Sequence, residues 1–403
     1  MLNRRIAAAV VAMMCFVAVS CSGSTDRRAV EGEIESHTEG TFYQAPSPLP
    51  GGQPGELIRS EEIAGAPDGA HEWRVLYHSR DVTGADVAVS GIVVAPDGDA
   101  EPGSRPVVAW GHPTTGAAQS CAPSLGPDPT DTVEGLRDLL RAGYVVAASD
   151  YPGMGAPGPS SYLIGTSEGN SVLDAARAAA QITDTRAGNR LLLWGHSQGG
   201  QAALFAAQDA ATYAPELHLA AVAVAAPAAE LGDLLTADIG DDAGVSLGAY
   251  AFQAYATVYG PTTPGLDLAQ ILTPAGVEAT PAMAELCLFG QHDKLHSIAG
   301  PLVGGYLAAS PATVAPWSTL LTENTPGATP IGVPMLVAQG DADTLVKPTT
   351  TAQYVQHLCS TGEHVDSRTY PGISHALIAL RAMPAVLSTF SDALAGRTTP
   401  NSC

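Results

Sequence analysis

The sequence has few basic residues and little charge of any kind. Only 18 of its 403 residues are Lys or Arg, against 40 Asp or Glu, and the net charge is −22. Lysine is the rarest of these, occurring only as Lys294 and Lys347. Such an acidic chain repels phosphate backbones, which excludes nucleic-acid binding. With 45% hydrophobic residues the chain is too apolar to be disordered, so it can bury a large core.

Several cofactor and metal motifs are also missing. The sequence has no Cys-x-x-Cys pair and no His-Glu-x-x-His, which argues against a zinc site. Neither lysine follows a glycine, so no P-loop can be built. Gly153–Gly158 matches a dinucleotide-binding pattern, but Pro157 and Pro159 fall where the phosphate-binding helix would begin. We therefore expect neither a metal nor a cofactor.

The N-terminus has the pattern of an export signal. Arg4 and Arg5 precede Ile6–Val19, an apolar run of 14 residues that is too short to span a bilayer. Residues 1–20 are therefore a predicted signal peptide, and the sequence around Cys21 resembles a bacterial lipobox. Cys21 would then carry lipid and hold the protein at the outer face of the cell membrane; plain secretion is the alternative. Removing residues 1–20 takes away two arginines and no acid, leaving a net charge of −24.

The rest of the chain divides into three regions. Residues 21–52 contain Ser, Thr, Gly and Pro without an apolar period, which predicts a flexible tether. Residues 53–227 and 332–403 alternate short apolar runs with helical patterns, which predicts an α/β fold with a mostly parallel, doubly wound sheet. The predicted strands include Trp73–Tyr77, Val87–Val94, Pro106–Trp110, Tyr144–Ser149, Leu191–Trp194, Ala220–Ala225 and Val333–Gln339, and the predicted helices include Asp131–Ala142, Ser167–Ile182, Gln198–Tyr213, Thr349–Cys359 and Ala376–Ala395.

Residues 228–331 interrupt this alternation. A connection of about a hundred residues is too long for a simple loop, which predicts an inserted helical cap or lid. Val245–Tyr259 and Leu266–Leu272 are its predicted helical segments. The insertion holds ten acidic residues, one Lys and no Arg.

The pattern Gly-x-Ser-x-Gly follows an apolar strand and precedes an Ala-rich helix. In Gly195–Gly199 the two glycines leave room for a tight strand-to-helix turn that projects the side chain of Ser197. The N–H of Gln198 would lie at a helix N-terminus, where it could bind an oxyanion. This context predicts that Ser197 is a catalytic nucleophile.

A serine nucleophile needs a base and an acid to orient that base. After the strand at Val333–Gln339, Asp343 is the preferred acid and Asp341 the competitor, which more naturally caps the turn. Thirty-two residues further on, His375 stands at the head of the last predicted helix and is the preferred base. His357 and His364 are the alternatives.

The second oxyanion donor is expected in the loop after Pro106–Trp110. Pro113 has no N–H to donate, so Thr114 is the preferred donor and Thr115 competes with it. A plain turn without a catalytic role is the remaining alternative.

These motifs together resemble the secretory lipase family of fungi and actinobacteria. The resemblance implies an α/β-hydrolase fold with a helical cap, and a carboxylic-ester hydrolase that uses Ser197, Asp343 and His375. Fungal relatives can use a carboxyl group in the oxyanion loop, but Thr-Thr-Gly stands at residues 114–116 here, so that feature is not carried over. The motifs are Cys121-Ala122-Pro123-Ser124, Asp150-Tyr151-Pro152-Gly153, Gly-His-Ser-Gln-Gly, Gly-Asp-Ala-Asp and Gly-Ile-Ser-His, spread over residues 50–403.

Four cysteines remain when Cys15 and Cys21 are set aside, and an even number in an exported chain favours two disulfides. The family resemblance implies that these are Cys121–Cys287 and Cys359–Cys403.

The expected substrate is a small lipophilic ester. The acidic insertion disfavours anionic substrates and favours neutral acylglycerols or similar esters. A serine peptidase or acyltransferase on the same fold, and a lipid-binding surface lipoprotein without catalysis, are the alternatives.

Overall fold

The structure, a computed structural model, describes residues 41–237 and 239–403. The predicted signal peptide, Cys21 and most of the predicted tether lie outside the described residues. The strands are β1 (Leu57–Ile63), β2 (Ala70–Arg80), β3 (Asp86–Pro96), β4 (Arg105–Gly111), β5 (Val145–Ser149), β6 (Ala187–His196), β7 (His218–Ala225), β8 (Met335–Gly340) and β9 (Val365–Tyr370). The α-helices are α1 (Leu136–Arg141), α2 (Gly165–Gln181), α3 (Gln198–Tyr213), α4 (Leu231–Ala237), α5 (Asp242–Val258), α6 (Pro274–Ala284), α7 (His292–Ala299), α8 (Trp317–Glu323), α9 (Pro348–Ser360) and α10 (His375–Leu394).

All nine strands form one sheet in the order β1-β2-β3-β5-β4-β6-β7-β8-β9. The strands from β4 to β9 are parallel to one another, and β1, β2 and β3 add an antiparallel edge. This architecture confirms the predicted mostly parallel sheet flanked by helices. The edge strand β1 was not predicted, because Leu57–Ile63 has no fully buried residue and therefore no apolar pattern.

Alternate residues of the central strands bury against opposite layers of helices. In β6, Leu192 and Trp194 face one core together with α1 and α10. Leu191 and Leu193 face the other core together with α2, α3 and α9. All four side chains are completely buried, which explains why this strand reads as a continuous apolar run.

The last helix, α10, is the one described helix that is long and apolar enough to cross a membrane. Its inward residues, including Ile378 and Val386, are completely buried in the core that it shares with α1. Burial in the protein core accounts for part of its apolar composition, whereas Leu377 and Leu380 are each 54% exposed.

The insertion between β7 and β8 carries helices α4 to α8. The predicted helix Val245–Tyr259 is present as α5, but Leu266–Leu272 forms only a 3-10 turn at Leu268–Gln270. Gly265 has a φ of +80°, and the Asp267 side chain accepts from the Ala269 N–H at 2.9 Å, so the helical segment begins only after Asp267.

The predicted helix Asp131–Ala142 is also shorter than expected. A 3-10 turn, Pro129–Thr132, is followed by Gly135 with a φ of +84°, and the α-helix begins only at Leu136. The left-handed backbone of Gly135 breaks the helical path.

The part of the predicted tether that the structure describes lies against the domain. Tyr43 is buried, with 6% of its surface exposed. The Gly52 N–H donates to the Asp86 carboxylate at 2.9 Å. The chain is therefore held to the sheet before β1 begins.

Candidate active site

Ser197 occupies a strained turn between β6 and α3. Its φ is +56°, a value that few residues other than glycine adopt, and its N–H donates to the Ala225 carbonyl at 3.0 Å. A Cβ atom at Gly195 would overlap the Gly199 carbonyl, and a Cβ at Gly199 would overlap the Gly111 carbonyl. The two glycines therefore allow the turn to approach β4 closely.

Ser197, His375 and Asp343 form one hydrogen-bonded chain. The His375 Nε2 lies 2.9 Å from the Ser197 Oγ, and the His375 Nδ1 lies 2.8 Å from the Asp343 Oδ2. The serine follows β6, the aspartate follows β8, and the histidine is the first residue of α10. The carboxyl ends of parallel strands thus bring together residues 178 and 32 positions apart in the sequence.

The Asp343 carboxylate is held on both of its oxygens. Its Oδ1 accepts from the Leu345 and Val346 N–H groups, both at 2.9 Å. Its Oδ2 accepts from the Gln339 side-chain amide at 3.1 Å, in addition to the contact with His375. The side chain is completely buried, so its orientation toward the histidine is fixed.

The alternatives considered from the sequence lie elsewhere. Asp341 is exposed, and its carboxylate accepts from the Gly372 N–H at 2.6 Å. The His357 Nε2 lies 3.2 Å from the Gly327 carbonyl, and His364 is hydrogen-bonded to the C-terminal segment near Thr399. None of these three side chains is hydrogen-bonded to Ser197 or His375 in the part of the chain that the structure describes.

Burial lowers the pKa of His375 below its ordinary value. The Asp343 hydrogen bond and the Glu134 carboxylate oppose this shift, and His196 adds to it. A lowered pKa keeps the imidazole neutral at neutral pH, as a group that must accept a proton requires.

The loop after β4 lies beside the nucleophile turn. Thr114 is 8% exposed, and its hydroxyl shares a hydrogen bond with the Tyr162 hydroxyl at 2.8 Å. The Thr115 hydroxyl donates to the Cys121 carbonyl at 2.8 Å. Gln198 is the first residue of α3, so its N–H lies among the amides that have no acceptor within the helix.

The Gln198 side chain is anchored by a buried carboxyl group. Its amide donates to the Glu168 Oε1 at 2.7 Å, and the Leu163 N–H donates to the same oxygen at 3.1 Å. Complete burial raises the pKa of Glu168 well above its ordinary value. Glu168 does not stand out in the sequence, because a single Glu inside a helical pattern usually indicates a solvent-exposed face.

The inserted helices are fastened to the loop after β4. Cys121 and Cys287 form a disulfide across 166 residues, and the Leu288 N–H donates to the Thr115 carbonyl at 2.8 Å. A second disulfide joins Cys359 to Cys403. These are the two pairs that the family resemblance implies. Beside the loop that the first disulfide fastens, Ser197 has only 8% of its surface exposed.

The described residues contain no group of three or more His, Cys, Asp or Glu side chains that could hold a metal ion. The site consists of a serine, a histidine, a carboxylate and backbone amides, a set suited to acyl transfer.

Comparisons with known proteins find similarity to curated lipases. Lipase 6 of Candida albicans is 27% identical to this chain over 203 residues, which are 46% of the chain and 42% of the relative. Lipase A of Moesziomyces aphidis is 28% identical over 229 residues, 53% of the chain and 47% of the relative. The match thus spans less than half the length of either curated relative.

Solved structures share the fold. Candida antarctica lipase A superimposes with a TM-score of 0.75 and 20% identity, covering 90% of this chain and 87% of the other. The rice cell wall degrading esterase LipA of Xanthomonas oryzae superimposes with a TM-score of 0.70 and 22% identity, covering 86% of this chain and 100% of the esterase chain. Together with the sheet order, these similarities confirm the predicted α/β-hydrolase fold.

Residues 132–402, two thirds of the chain, match the sequence model of the family described as secretory lipase. This segment contains Ser197, Asp343 and His375, and it confirms the family resemblance drawn from the motifs. The chain belongs to the secretory lipase family.

Proposed function

We propose that the protein is a serine carboxylic-ester hydrolase that acts on neutral lipophilic esters. The observation that carries this proposal is the continuous hydrogen-bonded chain from the Ser197 hydroxyl through His375 to Asp343, with distances of 2.9 and 2.8 Å. Membership of the secretory lipase family, and relatives named as lipases, support it.

The proposed reaction has two acyl-transfer steps. The Ser197 hydroxyl attacks the ester carbonyl while the His375 Nε2 takes its proton, and the histidine then gives that proton to the leaving alcohol. Water, deprotonated by the same histidine, attacks the acyl-enzyme, and the proton returns to Ser197 as the carboxylic acid leaves. Asp343 holds the Nδ1 proton and stabilises the imidazolium that forms in each step.

The oxyanion formed in each step is proposed to bind the N–H groups of Gln198 and Thr114. Gln198 lies at the N-terminus of α3, where the helix dipole favours negative charge. Its side chain is fixed by Glu168, which supports a rigid donor. Thr114 lies in the loop that passes the nucleophile turn, and the disulfide Cys121–Cys287 limits the movement of that loop.

We assign residues 228–331 as a cap over the site and residues 53–227 with 332–403 as the core. The hydrogen bond from Leu288 to Thr115 and the packing of Tyr250 on Tyr162, with ring centroids 5.5 Å apart, support this division. Ten acidic residues and one lysine in the cap disfavour anionic substrates.

The family also supports export of the protein. The signal peptide at residues 1–20 and the lipid anchor at Cys21 stay predictions from the sequence, and secretion without an anchor is the alternative. Labelling of growing cells with a radioactive fatty acid tests the anchor, because a Cys21→Ser variant should lose the label.

Hydrolysis of p-nitrophenyl esters with acyl chains from C2 to C16, measured beside a tributyrin emulsion, tests the function. We expect wild-type turnover and a loss of about 10⁴-fold or more in Ser197→Ala. Activity that falls beyond C4 without hydrolysis of the emulsion would indicate an esterase and exclude a lipase. Equal turnover by Ser197→Ala and wild type would leave a non-catalytic lipid-binding protein, and turnover of amides alone would indicate a peptidase.

A further inference from the structure

His196 precedes the nucleophile in the Gly-His-Ser-Gln-Gly turn and is almost completely buried. Only 3% of its side chain is exposed, and its Nδ1 lies 2.8 Å from the Glu134 Oε2. Nothing in the Gly-x-Ser-x-Gly pattern requires a histidine at this position, since only the glycines and the serine shape the turn. The partner Glu134 lies 62 residues earlier in the chain.

Glu134 is held at two points by the same strand. The Trp194 indole N–H donates to the Glu134 carbonyl at 3.0 Å, and His196 contacts the Glu134 carboxylate. Residues two apart on a strand lie on the same face of the sheet, so Trp194 and His196 face Glu134 together. The end of β6 therefore fixes both the backbone and the side chain of Glu134.

The His196 ring also packs against His375. The two ring centroids are 4.8 Å apart and the ring planes are inclined by 40°. The His196 Nε2 is buried and has no hydrogen-bond partner among the described residues, so the hydrogen bond of the ring is the one that its Nδ1 makes with Glu134. A ring held by Glu134 on one side thus restricts the ring of His375 on the other.

We propose that His196 and Glu134 are positioning residues for His375: the Glu134-anchored His196 ring holds the His375 ring between Ser197 and Asp343, and the Glu134 carboxylate favours the imidazolium formed during reaction. This inference rests on the proposed function of Ser197 and His375. In the described part of the chain the side chains of His196 and Glu134 are hydrogen-bonded to each other and not to Ser197 or Asp343, so the pair acts through His375.

The charges around His375 determine the direction in which its pKa, and with it the pH profile, should move. The groups that act on the pKa of His375 are Asp343 and Glu134, which raise it, and His196, which lowers it. With His196 unchanged, replacing the Glu134 carboxylate by a neutral amide removes a charge that raises the pKa of His375 and so lowers that pKa. The acid limb of kcat/KM, which reports the base in the free enzyme, moves to lower pH.

The experiment compares the full pH profiles of kcat and KM for four variants with wild type. We expect Glu134→Gln to move the acid limb down by roughly half a pH unit, as expected for a partly screened charge one side chain away. Glu134→Asp, which retains the charge, should keep the wild-type limb. His196→Phe keeps a flat ring but loses the bond to Glu134, and we expect kcat about two- to ten-fold lower with an unchanged KM.

Glu101→Gln is the matched control, because this exposed residue precedes β4 at the opposite end of the sheet. The proposal would be overturned if the acid limb of Glu134→Gln coincided with that of wild type. It would also be overturned if Glu101→Gln shifted the acid limb as much as Glu134→Gln does. A wild-type kcat in His196→Phe would also overturn it, and Glu134→Gln decides the question if His196→Phe fails to fold. Ser197→Ala, assayed in parallel, separates a failure of the proposed function from a failure of this inference.

Discussion

Replacing Asp343 by Asn should strongly lower both stability and kcat, although Asn has nearly the same shape as Asp. The Asp343 Oδ2 faces His375 and the Gln339 amide, and its Oδ1 faces the N–H groups of Leu345 and Val346. All four neighbours present protons to a carboxylate. An Asn side chain must therefore aim its NH₂ group at two donors in either of its two orientations.

The size of the effect follows from these contacts. Two unsatisfied buried donors, at about 1–3 kcal/mol each, predict a loss of about 2–6 kcal/mol in the free energy of unfolding. His375 can relieve the clash only by carrying its proton on Nε2, which then faces Ser197 and cannot accept its proton. A base in the wrong tautomer costs about 10⁴-fold in kcat. That loss corresponds to about 5 kcal/mol of transition-state stabilisation.

Asp341→Asn is the control for this prediction. Asp341 is exposed and accepts one backbone N–H from Gly372, which an Asn carbonyl can also accept. We expect its kcat within about two-fold of wild type, because surface substitutions have small effects. The assay is p-nitrophenyl butyrate hydrolysis from pH 5 to 9, with thermal unfolding measured on the same samples. An Asp341→Asn variant as inactive as Asp343→Asn would refute this reasoning.

Three further predictions concern the disulfides, a glycine and pH. Replacing both cysteines of one disulfide by Ser should lower the free energy of unfolding. The expected loss is about 5 kcal/mol for Cys121–Cys287 and about 4 kcal/mol for Cys359–Cys403, because these disulfides close loops of 166 and 44 residues. Only the first pair should also lower kcat, because it ties the cap to the loop after β4; equal losses of kcat would contradict this. Gly199→Ala should destabilise by about 1–3 kcal/mol in urea unfolding, since its Cβ would overlap the Gly111 carbonyl, whereas Gly51→Ala should not. Because burial lowers the pKa of His375 and the neutral ring is the base, half-maximal kcat/KM on the acid side should lie below about pH 6.5; a midpoint above that value would count against it.

The fold could be predicted largely from local patterns. Strands buried on both faces must be continuously apolar, and each of the seven predicted strands overlaps one of the strands β2 to β8. The misses have physical causes. The edge strand β1 is polar and at best half-buried, and Gly135 interrupts a helix whose apolar pattern begins earlier.

The site could be predicted where its chemistry requires a fixed sequence. A tight strand-to-helix turn needs glycine at Gly195 and Gly199, so Ser197 stands out in the sequence. The order of the motifs indicates Asp343 and His375, but the sequence left Asp341, His357 and His364 open. Only the hydrogen bonds of the folded chain distinguish among them.

The sequence by itself determined the α/β class, the long insertion, the nucleophile turn and the family, because each of these depends on short-range periodicity or on a motif. Tertiary structure alone decided which side chains surround His375 and Gln198. The contact between Glu134 and His196 joins residues 62 apart, and that between Gln198 and Glu168 joins residues 30 apart. No local sequence pattern predicts such pairs, because they form only when the parallel strands and their helices pack around one edge of the sheet.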